Sequence, residues 1–165
     1  MENKTTITKD AANKKMVVFR NFDAPVEQVW AAWTQKELLE QWWAPEPWKA
    51  HSKSMDFSEG GSWLYAMVGP DGNEHWAKVV YETIKPIDYF TAKDCFCDAE
   101  GNENRELPGM HWKNIFHKDG NATKVEVLIT FPTQEALEKI VEMGFEEGFT
   151  MAHGNLDRLL QQMLN

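Results

Sequence analysis

Cysteine is scarce in this chain: of 165 residues only Cys95 and Cys97 carry a thiol. One residue apart on a probable strand, both point to the same face, and a disulfide between such close neighbours would be strained. A disulfide-stapled scaffold is excluded, and the two are expected as free thiols in a reducing compartment, with a redox or thiol-ligand role as the alternative. Long apolar runs are missing too. Nothing approaches the roughly 20 apolar residues of a membrane span, and the opening stretch lacks the apolar segment of a signal peptide. A soluble, cytoplasmic protein without membrane insertion is expected. Basic residues are outnumbered 17 to 26, and the formal net charge of −9 repels phosphate backbones, so nucleic acid is not an expected partner. The sequence contains no nucleophile elbow, phosphate loop or dinucleotide fingerprint. His51, His75, His111, His117 and His153 are scattered without zinc-ligand spacing, so neither metal nor cofactor is expected.

What the chain has in abundance is large, adaptable apolar side chains: 8 Trp, 8 Met and 9 Phe. Rigid aromatics and flexible thioethers fill irregular space, and Met adapts to ligands of different shape. That composition suits a cavity. The size suits one domain, and residues 1–15, rich in Lys, Thr, Asn and Asp, read as a polar and partly disordered leader to a single domain over 16–165.

Met16 to Phe22 reads as a first strand. Pro25 then suits the opening turn of a helix in which Val26, Val29, Trp30 and Trp33 make one apolar face. Thr34 and Glu37 read as a capping box for a second short helix carrying Leu38, Leu39, Trp42 and Trp43, with Pro45 as its stop. Six extended runs follow: Ala50 to Phe57, Trp63 to Val68, Glu74 to Ile84, Tyr89 to Cys97, Met110 to His117 and Thr123 to Phe131. Gly, Pro and Asp clusters separate them, and Val125, Val127, Ile129 and Phe131 alternate with polar neighbours, as an antiparallel meander with one wet face requires. From Thr133 the period is helical again, with Leu137, Ile140, Phe145, Phe149, Ala152, Leu156 and Leu160 on one broad side. Gly144 and Gly148 inside that stretch predict a break or a close backbone approach, with the break at Gly144.

The residues Arg20, Phe22-Asp23-Ala24-Pro25, Val29-Trp30, Trp42-Trp43-Ala44-Pro45, Asp56, Gly60-Gly61-Ser62-Trp63, Tyr81, Ile84-Lys85-Pro86, Gly144-Phe145, Gly148 and Leu156-Asp157-Arg158-Leu159 resemble, in order and interval, the START-like or SRPBCC superfamily. Within it they resemble the branch named after the activator of heat-shock protein 90 ATPase, in its C-terminal-domain form. The resemblance runs from about Val18 to Leu164. It implies an α+β helix-grip fold of the START-like and Bet v-like kind, a curved antiparallel sheet wrapped around a long C-terminal helix, with two short helices after the first strand. It also implies a cavity for an apolar ligand between sheet and helix.

The candidate ligand-binding residues are Trp43, Trp63, Tyr65, Met67, Trp76, Phe90, Trp112, Phe145, Phe149, Met151 and His153, with Trp42 and Trp48 as further candidates for the lining. Trp63, Tyr65 and Met67 share one strand face. For each of these ordinary core packing is the competing reading, and for His153 it is a satisfied helix histidine. Asp56, Glu82 and Arg20 are the ionisable groups nearest to inward strand positions, with surface ion pairs as their competing reading, and no catalytic residue is assigned. The leading expectation is a binder of a hydrophobic or amphipathic small molecule. A second is a co-chaperone-like module that stimulates a partner ATPase, in a stress-response setting; the family's namesake joins this domain to a separate N-terminal one, and here only the polar leader is expected before it. A third is a cyclase or condensing enzyme acting on an aromatic or polyketide-like substrate. Exposed strand edges also make a homodimer an open expectation.

Overall fold

The structure is a computed structural model, and it describes residues 4–107 and 109–164. Eight strands form one antiparallel sheet: β1 (Thr6–Asp10), β2 (Lys15–Phe22), β3 (Lys49–Met55), β4 (Ser62–Val68), β5 (Glu74–Lys85), β6 (Tyr89–Cys97), β7 (Met110–Asp119) and β8 (Ala122–Thr130). Their order across the sheet is β1-β2-β8-β7-β6-β5-β4-β3. Helices α1 (Val26–Thr34) and α2 (Lys36–Leu39) fall between β2 and β3, and α3 (Gln134–Glu142) and α4 (Phe145–Leu164) close the chain. This is the helix-grip α+β architecture. The 20-residue α4 lays Phe149, Ala152, His153, Leu156 and Leu160 against the sheet's inner face, all of them buried.

Three local features differ from the sequence reading. The stretch expected as a polar leader supplies β1, whose Thr6 to Asp10 pair antiparallel with Phe19 back to Lys15. Its Ile7 packs on the core, and Thr5 beside it bonds to Arg20 and His153, so distant residues order a segment that has little apolar content of its own. Met1 to Asn3 lie outside the described residues. The capping box is not formed: Gln35 occupies the N-cap of α2 without a side-chain bond, and Thr34 Oγ1 donates to the Trp30 carbonyl at 2.8 Å. Thr34 is the last helical residue of α1, where a hydroxyl turns back to the carbonyl four residues earlier. Pro25 caps α1 from outside the helix rather than opening its first turn, and Trp42 and Trp43 follow α2 rather than belonging to it.

The terminal helical stretch breaks at Gly144, as its glycine predicts. Gly144 has φ +89°, the left-handed conformation that ends α3 without a side-chain clash. Thr133 caps the start of α3 by accepting from the Ala136 N–H at 3.0 Å. Gly148, one turn into α4, faces Pro45, whose side chain an added Cβ would meet at 3.7 Å, an ordinary van der Waals contact, so no close backbone approach requires the second glycine.

Candidate functional site

Cross-strand partners point to the same face of a sheet, so the register fixes what looks inward. Trp63 pairs with Val79, Tyr65 with Ala77 and Met67 with His75; farther on, Val79 pairs with Asp94 and Ala92 with Trp112. All of these positions except His75 line two adjoining spaces, one beneath α1 and α2 and the other beneath α3 and α4. The deeper is a recess of about 30 Å³ among Trp33, Leu39, Trp63, Tyr81, Phe90 and Asn114, room for about one water molecule. The outer is a chamber of about 240 Å³ bounded by Tyr65, Met67, Met110, Ile140, Phe145 and Phe149, with Met143, Gly144, Gly148 and Pro45 also on its wall. Trp43, Asp94 and Trp112 belong to both walls and form the waist between them.

The walls are aromatic and interlocked. Trp43 donates its indole N–H to the Tyr65 hydroxyl at 2.9 Å, Tyr65 stacks on Trp63 at 4.0 Å, and the Trp63 indole donates to Ser52 Oγ at 2.8 Å. Trp112 lies edge-on to Phe149 at 5.7 Å and to Phe145 at 5.9 Å, and Phe149 meets Trp43 at 5.9 Å. The indole N–H groups of Trp43 and Trp63 are thus used in fixing rings, which leaves ring faces and edges to meet an occupant.

Asp94 is the acid of this site. Its Oδ1 accepts the Met110 backbone N–H at 3.0 Å and its Oδ2 accepts the Trp112 indole N–H at 2.9 Å. Burial raises its carboxyl to about 7, against the pull of those two bonds, so near neutral pH it exists in both protonation states. Burial also raises the Tyr65 hydroxyl well above the ordinary phenol range. Cys95 is pushed up to about 11, chiefly by burial, and Cys97 is raised for the same reason. Both are free thiols held away from the thiolate that redox or metal chemistry needs. Among the described residues no group of three His, Cys, Asp or Glu side chains could hold a metal ion.

Of the residues expected at the site, Trp43, Tyr65, Met67, Trp112, Phe145 and Phe149 meet in the chamber, and Trp63 and Phe90 in the recess. Trp76 does not join them. It pairs with Ala66 and Cys97 and so faces the outer side of the sheet, where Lys53 lies over its ring. Met151 is 47% exposed on the outward side of α4. Trp48 packs on His75, and Trp42 is fully buried with its indole donating to the Ala32 carbonyl.

His153 is buried beside Phe149 but lines neither space. Arg20 can only donate to Thr5 Oγ1, so the Thr5 hydroxyl proton is free to bond His153 Nδ1, 2.9 Å away. The imidazole ring lies against Trp33 and Trp42, and its Nε2 has no hydrogen-bond partner among the described residues. Burial, with the Arg20 charge adding to it, lowers this histidine to about 3.

Of the three ionisable candidates, Arg20 is buried and paired with Asp157 at 2.5 Å, Glu82 is paired with His111 and Lys93 on the outer face, and Asp56 is exposed. Asp94 escaped sequence reading, although it shares the strand phase of Phe90 and Ala92. An acid at the apolar phase of a strand was the available signal.

The family model described as activator of Hsp90 ATPase homolog 1-like protein matches residues 23–161. The chain belongs to that family. Solved structures of other proteins agree in fold over nearly the whole length. A protein from Arthrobacter aurescens is 32% identical, with 95% of this chain and 91% of that one covered and a TM-score of 0.90. One from Staphylococcus epidermidis is 31% identical over 97% and 96%, with a TM-score of 0.84. One from Mycobacterium smegmatis is 27% identical over 94% and 96%, at 0.87. No protein with a curated description matches the sequence. No helix among the described residues is long and apolar enough to cross a membrane.

Proposed function

We propose that this family member binds a small apolar or amphipathic molecule, about the size of one substituted ring, in the chamber between β4–β7 and the α3–α4 junction. The observation that carries this reading is the 240 Å³ space with aromatic and thioether walls. A cavity of about 150 Å³ with apolar walls stays dry and takes up benzene, so a larger one with more aromatic surface holds a ring and a short substituent. Gly144 ends α3 beside the chamber, and the Met143 side chain there is 51% exposed, which puts the mouth at the helix break. Thiols held protonated fit a cytoplasmic setting.

A protein-interaction role finds less support. The large exposed apolar side chains among the described residues are Ile87, Met143 and Met151, single residues rather than a contiguous patch.

Isothermal titration with ethylbenzene tests the reading. Saturable binding is expected for the wild-type chain, and Ala77→Phe, which puts a ring into the chamber from β5, is expected to abolish it while the circular dichroism spectrum is unchanged. Absence of binding to the wild type, or undiminished binding to the Ala77→Phe variant, contradicts the reading.

A further inference from the structure

The chamber carries one carboxyl and no base. Its wall holds three titratable side chains, Tyr65, Asp94 and Cys95, and not a single Lys, Arg or His. A carboxylate facing an apolar space normally has a cation beside it, because an unpaired charge out of water is costly. Asp94 forms no ion pair among the described residues. The bases nearest in the fold are committed elsewhere. Lys93 and His111 both turn to Glu82 on the outer face, and Lys78 donates to the Gly101 carbonyl at 3.3 Å. The two N–H groups that Asp94 does accept occupy one lone pair on each oxygen and bring no charge, so the carboxylate keeps acceptor capacity.

Aromatic rings surround the same point. Trp43 and Trp112, centroids 6.0 Å apart, share the waist with Asp94, and Phe145 and Phe149 continue the wall outward from Trp112. Ring faces attract a cation through their quadrupole, most strongly when water is excluded, and organic ammonium groups are recognised by such aromatic cages. A carboxylate within a cage adds the countercharge. While Asp94 is ionised, a neutral occupant leaves the carboxylate uncompensated and an anion meets it as a like charge. The chain's net charge of −9 favours the approach of a cation in the same sense.

We propose that the molecule held in the chamber is an organic ammonium compound whose apolar body lies against Phe145 and Phe149 and whose positive end sits at the waist between Trp43, Trp112 and the Asp94 carboxylate. This rests on the ligand-binding reading above and names the chemical class of the ligand. No covalent step is involved: the ammonium replaces the missing countercharge and donates its N–H groups to the carboxylate's remaining lone pairs.

Three probes of one shape and different charge test it: phenethylammonium, propylbenzene and phenylacetate, titrated calorimetrically at low salt and about pH 8, where the Asp94 carboxyl is ionised. Phenethylammonium is expected to bind wild-type protein at least about tenfold tighter than propylbenzene, with phenylacetate weakest. In Asp94→Asn the ammonium is expected to lose that margin while propylbenzene binds within about twofold of wild type. Propylbenzene or phenylacetate binding as tightly as the ammonium overturns the inference and leaves the cavity reading standing. A margin that survives in Asp94→Asn also overturns it. If none of the three binds, the cavity reading falls and this inference with it. The wild-type comparison among probes needs no variant, so it decides even if Asp94→Asn folds poorly.

Discussion

The space under the sheet divides into two regions built from the same kinds of side chain, one solid and one hollow. In the solid region Phe22, Trp33, Trp42 and His153 close on each other, with Trp33 and Trp42 centroids 4.5 Å apart and Phe22 edge-on to Trp33 at 5.8 Å. In the hollow region Trp43, Trp112, Phe145 and Phe149 stand around a space of about 240 Å³. Aromatic content does not separate them, since Trp42 and Trp43 are adjacent and fall one in each. The difference lies in what the helices deliver. α1 and the turn after α2 push Trp33 and Trp42 into the first region, whereas over the second the helical layer is interrupted at Gly144, where α3 ends and α4 begins. Hollowness here comes from backbone placement, and the side chains line a space they did not create.

Truncation should separate the regions most sharply. Trp42→Ala or Trp33→Ala removes a ring from close packing and should cost about 3–5 kcal/mol in urea denaturation. Phe145→Ala, at a half-buried position already facing empty space, should cost about 1 kcal/mol. Equal losses at the two sites would erase the distinction.

Titration sharpens the comparison next. Asp94, raised from 3.8 to about 7, favours the folded state when protonated. Its contribution is fully present below about pH 4 and is lost as pH rises through 7. His153, lowered from 6.5 to about 3, favours the folded state when neutral. Its contribution is fully present above about pH 6.5 and is lost as pH falls through 3. Between about pH 4 and 6.5 the two slopes oppose, so melting temperature in the wild type should change little from this pair. Asp94→Asn should unmask a Tm that rises with pH over that window, and His153→Gln one that falls, each by a few °C, on the order expected for a domain this size. Parallel curves for the three proteins would contradict both assignments.

The smallest effect should come from the hinge of the comparison. Gly144→Ala forces a Cβ into the left-handed conformation and should cost about 1 kcal/mol, readable in the same denaturation experiment. No change would mean that the break tolerates a helical residue.

Much of this arrangement was legible in the residues. Seven of the strands announce themselves through alternation and turn chemistry, and the family resemblance named the grip of sheet on helix. β1 was not legible, because Ile7 is its one apolar residue and its order comes from pairing with β2 and from Thr5 bonding residues far along the chain. The aromatic walls could be named from composition and family, but sorting them needed register. Trp76 lies one residue from Ala77, which lines the chamber, and that single step sends it to the opposite face of the sheet. Met151 likewise faces outward from a helix whose Phe149 and Ala152 are buried. Asp94 is visible in the sequence as an acid in an apolar phase, yet its lack of an ion-pair partner among the described residues is a property of the folded sheet alone.

The contrast of hollow and solid can be read at single side chains. Methyl NMR of methionine-labelled protein, titrated with ethylbenzene, has probes in both regions: Met67, Met110 and Met143 on the chamber wall, Met16 fully buried away from it, and Met151 exposed on α4. Saturable shifts of the Met67, Met110 and Met143 methyls, with Met16 and Met151 unmoved, are expected if the chamber takes up a small apolar molecule. Chamber methyls that stay fixed while Met151 moves, or no shifts at all, would contradict it.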